Sequence, residues 1–135
     1  MGRVFLVRGR APWGEPGLGR GFLQLARRRL GSKNGFQCAR RVLDSRVEDK
    51  EVEVLDLSPE TVGTFDLVLF LSVLYHMKHP LLALEKVASG CQRQLILWTQ
   101  VALTEWDHPA AAFYPDTELN GDPSNWWGPN PPAVE

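Results

Sequence analysis

The run Thr64-Phe65-Asp66-Leu67-Val68-Leu69-Phe70-Leu71-Ser72-Val73-Leu74-Tyr75-His76 decides how this chain is read. Residues 65–71 are apolar on both alternating faces except at Asp66. A half-buried strand would alternate apolar with polar side chains. A run this uniform predicts a central parallel strand covered by helices on both sides. Downstream, Leu81, Leu82, Leu84 and Val87 make an apolar helical pattern. Pro80 suits its first turn and Gly90 its end, so a helix is expected over 80–88. Residues 94–98 predict a second buried strand. Strand, helix and strand at this spacing form a βαβ unit, which implies a parallel sheet and a right-handed crossover.

Upstream, Val52, Val54 and Leu55 point inward against Glu51 and Glu53, the pattern of a strand ending at Asp56. Ser58-Pro59-Glu60 reads as a turn or the start of a short helix. Phe36, Ala39, Val42 and Leu43 share one face of a helix over 36–43, with Ser32 or Asn34 as its cap. Phe22, Leu23, Leu25, Ala26 and Leu30 predict another over 22–30, stopped by Gly31. Residues 3–7 suit a short strand, and Pro12 and Pro16 exclude regular structure soon after it. Residues 105–135 hold most of the prolines and three of the five tryptophans. They read as a long irregular segment whose aromatic content sets it apart from disordered chain.

A chain of 135 residues suits one domain, and 44% apolar with 23% charged residues suits a globular one. The net charge of −1 gives no global attraction to nucleic acid or to an anionic membrane. The charge is uneven, however. Residues 1–46 carry eleven of the fifteen Lys and Arg against only Glu15 and Asp44. That half can be a solvated helix face, or it can meet a phosphate, which keeps RNA open as a partner. Cys38 and Cys91 show no pairing pattern and fit a reducing compartment. No apolar run reaches the length of a membrane span, and no signal-peptide core is present, so a cytoplasmic location without a membrane partner is expected. His76, His79, His108 and Cys91 lack the spacing of a helical zinc motif, and no metal site is expected.

Residues 64–76 resemble the fourth strand and following loop of class I S-adenosylmethionine-dependent methyltransferases. Val73-Leu74-Tyr75-His76, followed by His79-Pro80-Leu81-Leu82-Ala83-Leu84, is similar to the group related to the tRNA wobble-uridine methyltransferases and carboxymethyltransferases. Phe113-Tyr114-Pro115, Glu118-Leu119-Asn120 and the run from Asp122 through Trp126-Trp127-Gly128-Pro129-Asn130 resemble a loop of the same group. The resemblance covers residues 35–135. It implies an α/β fold with a Rossmann-like parallel sheet, the cofactor S-adenosylmethionine lying across the carboxyl ends of the strands. It further implies methyl transfer to a small molecule or a tRNA base.

On that resemblance Asp56 and Leu57 lie near the adenine, with Ser72 also at the cofactor. Tyr75 and His76 stand where methyl donor and acceptor meet. His76 is either a proton acceptor or a residue that caps a loop. Tyr114, Asn120, Asn125 and Trp126 face the substrate, Trp126 and Trp127 offering flat faces to a planar group; the alternative is that the tryptophans are core. Glu15-Pro16-Gly17-Leu18-Gly19-Arg20-Gly21 matches the acid-and-glycine pattern of a cofactor loop, which makes Gly17, Gly19 and Gly21 candidate cofactor contacts. Ala11-Pro12-Trp13-Gly14 before it is no buried strand, so residues 1–30 read as an atypical Gly/Arg/Pro-rich segment in place of the family's glycine loop. Residues 31–135 read as a partial methyltransferase-like domain, incomplete at both ends, lacking the ribose-binding acid and the final helix and hairpin. An open sheet edge would then invite a homo-oligomer. The second reading is therefore a non-catalytic remnant that serves as a binding or self-association module.

Overall fold

The apolar run at 65–71 forms a strand with the bounds its sequence sets. The computed structural model describes residues 5–7 and 34–134. In chain order they form β1 (Phe5–Val7), α1 (Asn34–Val42), β2 (Glu48–Lys50), a 3₁₀ turn (Val54–Asp56), α2 (Pro59–Val62), β3 (Phe65–Leu71) and a second 3₁₀ turn (Leu74–His76). Then come α3 (Pro80–Ser89), β4 (Cys91–Trp98), β5 (Ala111–Phe113), β6 (Trp127–Pro129) and a last 3₁₀ turn (Pro131–Ala133). The fold is mixed α/β with small parallel sheets of two strands.

β3, α3 and β4 form the expected parallel βαβ unit, with Leu69 opposite Ile96 and Leu71 opposite Trp98. The ladder is closed at both ends by Phe65 N–H donating to Gly90 O and Ser72 N–H donating to Trp98 O, each at 2.8 Å. One face of this pair turns Val68, Phe70, Leu95 and Leu97 toward the core. Ala83 and Val87, one helical turn apart on α3, close over it together with Val54, Leu57, Leu74 and Met77. Leu81 and Leu82 of α3 stay exposed, so its buried stripe runs along Ala83, Leu84 and Val87. The expectation that both faces of β3 are covered fails: Leu67, Leu69 and Leu71 are exposed.

The strand expected over 52–56 is displaced. The ladder lies earlier, at Glu48–Lys50, where β2 runs parallel to β1. Val54 does point into the core, as its alternation implied, but from a 3₁₀ turn. Val54 and Leu57, three residues apart, are both buried. A 3₁₀ turn brings residues at that spacing onto one side, which an extended strand does not. Asp56 therefore sits in a turn and not at the carboxyl end of a strand. β1 pairs with β2, apart from the β3–β4 pair. Among the described residues β3 is paired with β4 alone.

Ser58 begins α2 with a reciprocal cap: its hydroxyl accepts from Thr61 N–H, and the Thr61 hydroxyl accepts from Ser58 N–H. Gly63 ends α2 at φ +83, a backbone region that favours glycine. Arg40 of α1 pairs with Asp49 of β2 at 3.2 Å, while Val42 and Leu43 on α1's apolar side remain exposed. The C-terminal segment is more regular than its prolines suggest. β5 and β6 pair antiparallel, with Ala112 opposite Gly128, and Ala102 N–H donates to Pro129 O on β6. Asn130, fully buried, accepts from Ala110 N–H and donates to the carbonyls of Trp106 and His108, so that one side chain ties down residues 106–110.

Candidate functional site

β3 delivers its chain into a tight turn. Ser72 leaves the strand at φ +57, a left-handed conformation uncommon for a residue with a side chain. Leu74 then plunges into the core and anchors the 3₁₀ turn that carries Tyr75 and His76, both half-buried. Their rings lie 4.2 Å apart, centre to centre.

The C-terminal segment folds over this turn. Trp126 N–H donates to Tyr75 O at 2.7 Å, and Tyr114 N–H donates to Trp126 O at 2.8 Å. His76 Nδ1 lies 2.8 Å from Ser124 O and 3.2 Å from Ser124 Oγ. A carbonyl oxygen only accepts, so Nδ1 bears a proton in this contact. The Ser124 hydroxyl and N–H both donate to Asp122 Oδ1, at 2.7 and 2.9 Å. Histidine, serine and aspartate thus stand in a directed chain of hydrogen bonds. Lys78 Nζ sits 4.8 Å over the Trp126 ring, and Phe113 stacks on Trp126 at 6.0 Å.

The structure brings four of the sequence-predicted residues together: Tyr75, His76, Trp126 and, through its backbone, Tyr114. Asn125 lies beside them but is buried, its amide donating to Leu119 O at 2.9 Å. Asn120 is exposed at φ +60 and serves the turn that leads into Asp122. Trp126 and Trp127 are half-buried. Among the described residues, buried polar atoms without a hydrogen-bond partner include Asn125 Oδ1 and the indole N–H groups of Trp126 and Trp127. Ser72 is exposed, as is Asp56, whereas the Leu57 side chain belongs to the core. Gly17, Gly19 and Gly21 lie outside the described residues. So does the helix expected over 22–30. A separate cavity of about 430 Å³ is lined by Asp49, Lys50, Glu60 and their neighbours, with none of the candidate site residues among them. Among the described residues no group of three or more His, Cys, Asp or Glu is placed to hold a metal ion. Nor is any helix there long and apolar enough to cross a membrane.

Sequence reasoning passed over Asp122 and Ser124. Their signal is local: an aspartate two residues before a serine, with proline between, favours the side-chain-to-backbone turn seen here. Hydrogen bonds from the Ser124 backbone and then the Ser124 hydroxyl hold the Asp122 carboxyl below the usual aspartate range, and the charge of His76 adds a smaller lowering against a slight opposing effect of burial. A carboxyl lowered on folding stabilises the fold above its unfolded pKa. That contribution is lost as the pH falls through the folded value. The Ser124 amide proton should therefore follow an acid transition with its midpoint below that of an ordinary aspartate. A midpoint at or above the ordinary value in an NMR titration would refute the hydrogen-bonded turn.

Comparison of the chain with protein-family models, curated proteins and solved structures gave no match.

Proposed function

We propose that the chain transfers a methyl group from S-adenosylmethionine to a small molecule or a tRNA base, at the turn that follows β3. The observation that carries this reading is the oriented His76. An acceptor oxygen or nitrogen loses a proton as it gains a methyl group, and a histidine beside the acceptor is the kind of side chain that takes up such a proton. Ser124 and Asp122 hold the ring in place. The rest of the task is positioning, for which Tyr75, Tyr114 and the Trp126 face supply flat and polar surface.

The exposed donor set fits the polar edge of a nucleoside. The Asp56 carboxylate can accept from an exocyclic amine, and the Ser72 hydroxyl can donate or accept. Asp56 precedes Leu57 and Ser72 lies two residues before Leu74; Leu57 and Leu74 share one core, so both polar residues flank the same cluster. S-adenosylmethionine supplies the activated methyl group when bound. Asn125 Oδ1 and the two indole N–H groups are buried polar atoms without a partner among the described residues, which supports a polar group binding beside them.

Calorimetric titration of the folded chain with S-adenosylmethionine and S-adenosylhomocysteine tests the reading. The expected result is binding in the micromolar range, weakened about tenfold by Asp56→Ala through the loss of one charge-assisted hydrogen bond. A folded chain that binds neither compound would remove the enzymatic reading. A second reading, a non-catalytic binding or self-association module, is favoured by one observation: β1 pairs with β2, so it does not stand beside β3 as a glycine-loop strand would.

A further inference from the structure

The β3–β4 sheet has a second face, and its composition is unusual for a surface. Leu67, Leu69 and Leu71 project from β3 and Ile96 and Trp98 from β4, with relative exposures of 51%, 58%, 41%, 41% and 67%. The register sets Leu67 beside Gln94, Leu69 beside Ile96 and Leu71 beside Trp98. These are adjoining rows about 4.8 Å apart, so the five apolar side chains form one continuous patch. Gln94 is the polar residue paired within this stretch, and none of the five apolar side chains has a charged residue opposite it in the register. Isolated exposed leucines are ordinary on protein surfaces. A contiguous apolar patch of several hundred Å² marks an interaction site.

We propose that this face is a self-association surface, covered by the same face of a second copy packed sheet on sheet. Three features select that occupant. A patch without charge is complementary to itself under a twofold axis, whereas it offers no charge pattern for a partner of different chemistry to match. The net charge of −1 leaves little repulsion between copies. The five side chains present on the order of 500 Å² per copy, so a facing pair would remove about 1,000 Å² from water, the lower bound for a specific interface. The inference does not depend on the methyl-transfer reading.

Sedimentation velocity of the full chain over about 1 to 100 μM tests it, since a small apolar interface is expected to dissociate in that range. The unaltered chain should pass from monomer to dimer. Leu69→Lys and Trp98→Lys, each placing a charge in the facing patch, should weaken the dimer at least about tenfold. Both positions are exposed, so far-UV circular dichroism should be unchanged. Val42→Lys alters an equally exposed apolar residue on α1 and should leave the dimer intact. A monomer throughout the range overturns the proposal, and so does a dimer that resists both substitutions. Measurement of the unaltered chain alone retains this power even if a variant fails to fold.

Discussion

Asn130→Ala should lower stability by about 3 to 5 kcal/mol, the largest loss expected from any single substitution in the C-terminal segment. The side chain is fully buried and uses both ends of its amide, accepting from Ala110 N–H at 2.9 Å and donating to the carbonyls of His108 at 2.8 Å and Trp106 at 3.1 Å. Alanine strands a donor and two acceptors and leaves a void. Each buried group without a partner costs about 1 to 3 kcal/mol, less whatever water recovers. Asn130→Asp separates the chemistry from the shape. It keeps the volume but points a carboxylate at two carbonyl oxygens, so it should be worst at neutral pH and partly recover when protonated. The denaturant midpoint, followed together with amide exchange at Ala110, measures both effects. An unchanged exchange rate in Asn130→Ala would show that residues 106–110 are held by other means.

Gly128→Ala should cost about 2 kcal/mol by overpacking. A Cβ at this position would come 2.8 Å from the Ala102 Cβ and 3.2 Å from the Tyr114 ring. The first distance is between two side-chain stubs rooted on backbones that a hydrogen bond holds together, Ala102 N–H to Pro129 O at 3.0 Å. Neither atom can rotate away. Ala102→Gly in the same chain removes the closer clash and should restore about half of the loss, a coupling readable in a double-mutant cycle of thermal or urea unfolding. Strict additivity would mean that β6 and the segment through Ala102 do not approach as described.

The elements that were legible in the sequence are those whose own residues carry the signal. The apolar run at 65–71, broken only by Asp66, and the proline-to-glycine frame of α3 needed no distant information. β2 was not legible because Glu48-Asp49-Lys50 is wholly charged, and its ladder exists only because β1 lies beside it. The alternation of Val52 and Val54 with Glu51 and Glu53 then drew the strand assignment forward by several residues. Tertiary packing of Val54 and Leu57 overrode that pattern. β5 and β6 are three residues each, with glycine and proline in β6, and only their mutual pairing makes them strands. The site shows the same division. The position of Tyr75 and His76 directly after β3 was legible from the sequence. Ser124 and Asp122, which orient the histidine across 48 residues of sequence, depend on a contact that no local pattern announces.

The C-terminal segment meets the turn at Tyr75 and His76 through a main-chain hydrogen bond, Trp126 N–H to Tyr75 O, and through the His76 side chain on Ser124. Tyr75 contributes its carbonyl, Trp126 its N–H and its carbonyl, and Tyr114 its N–H. Such attachments are indifferent to what the side chains are. The aromatic groups at 75 and 114 can therefore be exchanged for others without breaking these bonds, because the bonds use only main-chain atoms of the two residues. A library varied at those two positions should keep its fold, because an attachment made by the main chain leaves both side chains free to vary.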